Sequence, residues 1–297
     1  MIEQVIDARR HSLGGFDVGR VLPFRKRRMV GPFAFFDHMG PVDFPAGVSR
    51  DVDVRPHPHI GLSTLTYLFD GEIMHRDSVG SVQAVRPGEV NWMTAGRGIT
   101  HSERFERARR EGGHQDGIQV WVALPEEFEE CEPSFAHVPA DGLPHFGDGG
   151  VAGQLIAGEA FGLRSEVPVY SPLFYIHWTV PAGARVEMPT GVAERAVYVA
   201  SGQVEAGGQA LQAGQMAVFN PGTAPAIRAV EDAVLIALGG EPVGPRFIDW
   251  NFVSSRKERI EQAKADWRAG RMKLPDADSD EFIPLPGDPE AQANPMS

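Results

Sequence analysis

Two histidines stand two positions apart in the stretch Arg55-Pro56-His57-Pro58-His59-Ile60-Gly61. Residues i and i+2 of an extended chain face the same side, so His57 and His59 point together. A second pair with the same spacing, His101 and Glu103, follows further along the chain. If both segments line the interior of one β-barrel, three imidazoles and one carboxylate can converge on a single metal ion.

This combination of side chains indicates an open transition-metal site. Three neutral imidazoles and a carboxylate leave about two positions free on an octahedral ion, which suits Fe(II), Mn, Co, Ni or Cu. A structural zinc site normally closes with four ligands, often thiolates, and Cys131 is the only cysteine in the sequence. The open positions would allow a substrate and dioxygen to bind side by side. The alternative interpretation is that the two pairs are ordinary polar residues of the protein surface.

Length and composition favour a two-domain β protein. The chain has 297 residues, 42% of them hydrophobic, and domains of roughly 100–200 residues are usual. Its 34 glycines and 24 prolines follow no repeat unit, which suits many short strands joined by turns. Asp70-Gly71 between two apolar runs predicts a hairpin. Runs typical of strands lie at 62–69, 81–85, 89–94 and 118–124.

The two halves of the chain resemble each other at their turn signals. Segment 69–72 aligns with 200–203, and the Pro-Gly and Ala-Gly pairs at 87–88 and 95–96 align with similar pairs later in the chain. This pattern predicts two copies of one antiparallel β-unit. The glutamate-rich segment 125–133 is interpreted as the connection between them, which places the domains at residues 1–130 and 131–297.

The C-terminal region contains a predicted helix. Ser255 and Glu258 have the spacing of a capping box at the start of a helix over about 256–269. One face of that helix carries Ile260, Ala263 and Trp267. The following tail, 275–297, is acidic and contains prolines, and we expect its final dozen residues to be loosely held.

The charge balance excludes a general nucleic-acid binder. The sequence has 40 acidic and 28 basic side chains and a net charge of −12, whereas phosphate contacts need a basic surface. The basic segment 25–28 is therefore interpreted as a solvated strand end. The chain start lacks a signal-peptide pattern, and apolar runs stay well short of the roughly 18 residues of a membrane span. The single cysteine suits a reducing compartment, so we expect a cytoplasmic protein without membrane contacts.

Longer motifs resemble those of the pirin family in the cupin superfamily. They extend over nearly the whole chain: VGPF at 30–33, DHMGP at 37–41, RPHPHIGL at 55–62, HRDS at 75–78, NWMTAGRGITHSER at 91–104 and DWNFVSS at 249–255. The resemblance implies an all-β bicupin, made of two jelly-roll-like β-barrels with a short C-terminal helix.

The resemblance also implies one divalent transition metal per chain, in the N-terminal barrel. The residues that match its ligands are His57, His59, His101 and Glu103. The expected ion is Fe(II), and Mn, Co, Ni, Cu or Zn are alternatives. The second barrel is expected to hold no metal. The repeat aligns the four ligand positions with side chains that are poor ligands: Met188, Thr190, Ile227 and Ala229.

Other candidate residues are interpreted as structural. His75, near Asp77, fits a hydrogen-bonded turn better than catalysis. His38 fits a core or capping role, or a place near the barrel mouth, and Trp92 either lines the pocket or packs inside the barrel. Cys131 lies among glutamates, which disfavour a reactive thiolate. Histidines without a partner at ligand spacing are His114, His137, His145 and His177.

The resemblance implies two competing functions. The first is a metal-dependent dioxygenase that opens flavonols such as quercetin with O2 and releases carbon monoxide, with Glu103 taking the proton of the flavonol 3-hydroxyl. The alternative is an iron-dependent, redox-sensing regulatory protein that acts on a protein partner. A third reading is a barrel that acts on an unidentified small molecule.

Overall fold

A computed structural model describes residues 1–223 and 225–288. Residues 289–297, most of the final dozen expected to be loosely held, lie outside the described residues. Within the described ranges the chain is mostly β-structure, and its two α-helices lack the length and apolarity needed to cross a membrane.

The first half of the chain forms twelve strands and a short helix. They are β1 (Ile2–Asp7), β2 (Arg9–Ser12), β3 (Asp17–Leu22), β4 (Phe33–Phe44), β5 (Val54–His59), β6 (Leu62–Asp70), β7 (Ile73–Asp77), β8 (Val82–Val85), β9 (Val90–Thr94), β10 (Ile99–Arg104), α1 (Glu106–Glu111), β11 (Gly113–Ala123) and β12 (Ser134–Val138). Short 3-10 helices lie at Arg50–Val52, Glu126–Phe128 and Ala140–Gly142.

The second half repeats the pattern and ends in the longer helix. Its elements are β13 (His145–Phe146), β14 (Ala152–Ala160), β15 (Leu163–Arg164), β16 (Leu173–Val180), β17 (Arg185–Glu187), β18 (Glu194–Ser201), β19 (Gln203–Ala206), β20 (Gln209–Gln212), β21 (Gln215–Phe219), β22 (Ala226–Ala229), β23 (Ala233–Gly240), β24 (Phe247–Asp249), β25 (Phe252–Ser254) and α2 (Lys257–Arg268).

The strand order shows the predicted duplication. In the first barrel a large sheet, β12-β9-β6-β11-β4-β3-β2, accompanies a small sheet, β5-β10-β7-β8. In the second barrel β1-β21-β18-β23-β16-β14-β13 accompanies β17-β22-β19-β20. The strands occupy the same order in both, so the expected all-β bicupin is confirmed. Each large sheet ends on a strand from elsewhere in the chain: β1 pairs with β21, and β12, which follows residue 130, pairs with β9.

Alternating side chains give each large sheet two apolar faces. One face packs against the other large sheet, so that residues such as Leu65 and Tyr175 share a core between the barrels. The opposite face of the second large sheet packs on its own small sheet, and a continuous apolar cluster fills that barrel. The first barrel is different, because its apolar interior is split into separate clusters around buried polar side chains.

The interior of the second barrel corrects one alignment from the repeat. His101 pairs with His57 across the small sheet of the first barrel, and the matching pair in the second is Ile227 with Val186 rather than with Met188. The offset therefore slips by two residues at the short strand β17, and Thr190 lies exposed beyond that strand. Val186, Met188 and Ile227 are all buried in the apolar cluster, which leaves these positions without a metal ligand.

The C-terminal region folds back onto the first barrel. Helix α2 lies within one residue of its predicted bounds and buries the expected face. The capping box is wrong, because the helix cap is Arg256 without a side-chain cap, and Ser255 Oγ donates instead to Glu129 Oε2 at 3.0 Å. Residues 272–288, named here the C-terminal strap, then cross the small sheet, where the N–H of Ile283 donates to the carbonyl of Pro56 at 2.8 Å.

Candidate metal centre

Three neighbouring strands of the small sheet place the candidate ligands. Strands β5 and β10 are antiparallel with His57 opposite His101, and a bulge separates His101 from Glu103. On the other side of β10, Asp77 of β7 lies opposite His101 and His75 lies opposite Glu103. Because side chains alternate along a strand, all five of these residues belong to one face of the sheet, which is the barrel interior.

Three of the four predicted ligands form a compact cluster. The ligand atoms of His57, His59 and His101 lie within 4.8 Å of one another, and all three side chains are buried. His59 Nε2 and His101 Nε2 are only 3.1 Å apart. Glu103 lines the same cavity, but its carboxylate does not come within 4.8 Å of all three nitrogen atoms.

Backbone carbonyls orient two of the imidazoles. His57 Nδ1 donates to the carbonyl of Arg55 at 2.9 Å, and His59 Nδ1 donates to the carbonyl of Asn251 at 3.0 Å. A carbonyl oxygen can only accept, so each ring carries its proton on Nδ1 and keeps a lone pair on Nε2 when it is neutral. Gly61 permits the second contact, because a Cβ at its position would lie 2.0 Å from the carbonyl oxygen of Val253.

Burial keeps the three imidazoles neutral. It lowers the pKa of His57 to about 4 and the pKa values of His59 and His101 well below the ordinary value, and the charges of neighbouring rings act in the same direction for all three. Burial raises the pKa of Glu103 to about 7, against a hydrogen bond from Thr66. Neutral imidazoles are the form that ligates metal ions.

The cluster fits a divalent metal ion. If His59 and His101 both present lone pairs at Nε2, the 3.1 Å approach of these atoms is repulsive without a cation to accept both. Nitrogen donors of this kind suit several first-row divalent ions, and three of them leave coordination positions open. His57, His59 and His101 are thus the residues that could hold such an ion.

The cluster opens onto an aromatic cavity of about 490 Å³. Phe35 and Trp121 stack at a centroid distance of 4.1 Å, and the ring of His59 meets Trp121 edge-on at 5.2 Å. On the neighbouring strand, Arg20 binds Asp37 through two hydrogen bonds of 2.8 and 2.9 Å, and its guanidinium lies 4.5 Å from the centre of the Phe35 ring. Part of the wall comes from the C-terminal region: Ile248, Trp250, Asn251, Ile283 and Pro286.

The interpretation of His75 as a turn residue is wrong. His75 lies in β7, is buried, and contacts His101 and Asp77 inside the barrel. The signal was present, because His75 and Asp77 have the same i, i+2 spacing as the two ligand pairs. Asn251 was also missed, since it acts through its backbone and leaves no mark in the sequence.

The other singled-out residues have structural contacts, and Trp92 neither lines the cavity nor packs inside the barrel. His38 contacts Tyr198 and Asp116 at 2.8 and 2.7 Å, and Trp92 packs in the core between the barrels. Four further histidines contact residues elsewhere: His114 with Asp43, His137 with Asn91, His145 with Ala140 and His177 with Tyr67. In the basic segment 25–28, Arg27 pairs with Glu3 and Glu194.

The fold and the site define a class of protein: a cupin-type chain of two β-barrels with a three-histidine metal site in the first. The sequence matches the Pirin family over residues 15–122 and the pirin C-terminal cupin domain over residues 175–273. It is 64% identical over 288 residues to a pirin-like protein of Caulobacter vibrioides. The aligned residues cover 96% of this chain and 100% of that protein. The chain belongs to the pirin family.

Further relatives carry the name quercetin 2,3-dioxygenase. A Pseudomonas aeruginosa protein given this name provisionally is 36% identical, over 88% of this chain and 82% of its own length. The crystal structure of a quercetin 2,3-dioxygenase from Acinetobacter baumannii is 32% identical and has a TM-score of 0.88, covering 97% of this chain and 96% of that chain. The fold of this chain is therefore the two-domain pirin fold.

Proposed function

We propose that this protein is a metal-dependent dioxygenase that cleaves flavonol-like aromatic compounds with O2. The observation that supports it best is the meeting of three buried, neutral imidazoles with an aromatic-walled cavity of about 490 Å³. Such a cavity suits a planar organic ligand, whose ring would lie against Phe35 and Trp121. The names of the Pseudomonas and Acinetobacter relatives support the same function.

We assign His57, His59, His101 and Glu103 as the ligands of one divalent metal ion. When bound, that ion would supply Lewis-acid polarisation of the substrate hydroxyl. Fe(II) is our proposed ion, and the imidazole and carboxylate donors also accept Mn, Co, Ni, Cu or Zn. The single cysteine suits a reducing compartment, which supports a cytoplasmic location.

Glu103 is the proposed catalytic residue. Its carboxyl group lines the cavity beside the three histidines, where it can accept a proton from a bound ligand. In this role it accepts the proton of the flavonol 3-hydroxyl and keeps it inside the cavity. Thr66 Oγ1 lies 3.5 Å from Glu103 Oε1 and 2.7 Å from Gln119 Oε1, so the carboxyl group faces polar neighbours on one side.

The alternative is an iron-dependent regulatory protein that acts on a protein partner. A redox-sensing role would be favoured by a closed metal site under a charged, exposed surface. Here the histidine cluster lies at an internal cavity with aromatic walls, which favours binding of a small molecule. We therefore rank the dioxygenase first.

Oxygen uptake in the presence of quercetin tests the proposal. Protein loaded with Fe(II) should consume O2 when quercetin is added, and His101→Ala should lose both the metal and the uptake. His114→Ala is the matched control, because His114 is exposed and hydrogen-bonds to Asp43 outside the cavity. Absence of uptake in wild-type protein that holds one iron ion per chain would reject the flavonol dioxygenase and favour regulation or an unidentified substrate.

A further inference from the structure

His101 differs from the other two histidines in what holds its ring. Its Nδ1 lies 3.3 Å from Nδ1 of His75, a side-chain atom, whereas His57 and His59 bind backbone carbonyls. His75 Nε2 in turn lies 2.9 Å from Asp77 Oδ2. His75, Asp77 and His101 are at most 4% exposed, so this row of three side chains lies away from water.

The direction of the hydrogen bonds follows from the carboxylate. Asp77 can only accept when ionised, so the proton of a neutral His75 lies on Nε2 and its Nδ1 carries the lone pair. His101 must then donate from Nδ1 to His75. The second nitrogen of a neutral His101, Nε2, is left with its lone pair facing the cluster, 3.1 Å from His59 Nε2.

Packing and backbone contacts hold this row in place. The ring of His75 stacks on Phe135 at a centroid distance of 4.5 Å and an angle of 23°. Asp77 Oδ1 accepts the backbone N–H groups of Val79 at 3.0 Å and Ser81 at 2.9 Å, so its other oxygen is left to face His75.

We propose that His75 and Asp77 are positioning residues that fix the tautomer of His101, so that its Nε2 is available to the metal ion. This inference rests on the proposed role of His101 as a ligand. Of the three imidazoles, only His101 then has a tautomer that is set by side chains. A substitution outside the cluster can therefore change the tautomer of His101.

Asp77→Asn is the sharpest test, because it changes the direction of the hydrogen bonds with little change in shape. The amide oxygen can still accept from Val79 and Ser81, which turns the NH2 group toward His75. His75 must then accept at Nε2 and carry its proton on Nδ1. His101 would accept from it at Nδ1 and carry its own proton on Nε2, where it can no longer ligate a metal.

The experiment is a calorimetric titration of the metal-free, full-length protein with Ni(II) at pH 7. We expect Asp77→Asn to bind about 10–100-fold more weakly than wild type. Asp116→Asn is the matched control, since Asp116 contacts His38 at 2.7 Å in a second His–Asp pair outside the cavity, and it should bind like wild type. Nitrogen-15 spectra of the histidine rings should show the proton of His101 on Nδ1 in wild type and on Nε2 in Asp77→Asn.

The outcomes separate this inference from the proposed site. If His57→Ala weakens Ni(II) binding and Asp77→Asn stays within twofold of wild type, the positioning role is rejected and the metal site stands. If wild type does not bind Ni(II), or His57→Ala binds equally well, the metal site itself is rejected. Should Asp77→Asn fail to fold, His75→Leu removes the acceptor of His101 and His75→Gln restores one; equal affinity of these two variants would also reject the role.

Discussion

His59 donates its Nδ1 proton to the backbone carbonyl of Asn251, 3.0 Å away, although 192 positions separate the two residues. Asn251 follows the entire second barrel in sequence, yet it orients a side chain of the first. Its neighbour Trp250 has a φ of +52° and lines the cavity beside the cluster. The candidate site is therefore completed by the C-terminal region, and a separated first barrel would lack part of it.

Gly61→Ala should separate β25 from the metal site. An alanine Cβ would lie 2.0 Å from the Val253 carbonyl oxygen, at a φ of +66° that already disfavours any side chain. The control is Gly149→Ala in the second half of the chain, with a φ of +60° and nothing within 4 Å, because it shares the strain without the clash. We expect Gly61→Ala to lower the free energy of unfolding by about 1–3 kcal/mol more than the control.

The same two variants should also differ in their affinity for Ni(II). Since the Asn251 carbonyl would retreat from His59, Ni(II) affinity should fall in Gly61→Ala and stay at the wild-type value in Gly149→Ala. Urea unfolding and Ni(II) calorimetry measure the two effects. Equal stability and equal affinity in both variants would contradict the proposed contact between β25 and the site.

Local spacing predicted much of this site, because strands repeat every two residues. The shared face of His57 and His59 follows from that period, and so does the shared face of His101 and Glu103. The hairpin predicted at Asp70-Gly71 is wrong: Gly71 makes a turn, with a φ of +95°, but the flanking strands β6 and β7 lie in different sheets and do not pair with each other. Turn signals predicted the duplication, because they recur at matching positions in the two halves of the chain. These features depend on neighbours in sequence, which a reader of the sequence can see.

Features that depend on distant partners were not predictable. Ser255 has the spacing of a helix cap, but its hydroxyl donates a hydrogen bond to Glu129, at the end of the first barrel. Asp77 does take part in a turn, as its surroundings suggested, because its Oδ1 accepts the N–H groups of Val79 and Ser81. Its Oδ2 contacts His75 instead. One residue thus has a local and a distant role, and only the local one is visible in the sequence.

Asp278→Asn should loosen the C-terminal strap and change how stability depends on pH. Arg104, which is buried next to Glu103, donates to both oxygens of Asp278 at 2.7 Å. Burial alone would raise the pKa of Asp278, but hydrogen bonds from Arg104 and Ser102 outweigh it and the pKa is lowered. Loss of these charge-assisted bonds should cost about 1–3 kcal/mol at neutral pH.

The sign of the pH effect follows from the lowered pKa. The stabilisation by Asp278 is complete above the unfolded-state pKa of about 3.9 and is lost as the pH falls through the lower folded-state value. Between pH 6 and pH 3 the Tm of wild type should therefore fall more steeply than that of Asp278→Asn. Asp276→Asn, which removes an exposed carboxylate paired with Lys273 on the same strap, should follow the wild-type curve. Parallel curves for wild type and Asp278→Asn would contradict the prediction.

Phe35→Leu should weaken the binding of flavonols without affecting the metal. Phe35 stacks on Trp121 and lies under the guanidinium of Arg20, so it belongs to the aromatic wall and offers no metal ligand. Loss of an aromatic stack is worth about 0.5–1.5 kcal/mol, and we expect the Kd for quercetin to rise about 2–12-fold. Quenching of tryptophan fluorescence by quercetin in anaerobic protein measures the Kd. Unchanged Kd with unchanged Ni(II) content would place the aromatic substrate elsewhere.

Met188→Ala should reduce stability and leave metal content unchanged. Met188 is 2% exposed in the apolar cluster that fills the second barrel, and truncating a buried methionine costs about 2–5 kcal/mol. His101→Ala should show the reverse, with loss of bound Ni(II), because it removes a proposed ligand from the first barrel. Elemental analysis of Ni(II)-loaded protein and urea unfolding compare the two variants directly. Loss of metal in folded Met188→Ala would show that the second barrel takes part in metal binding, and its apolar filling would then need another explanation.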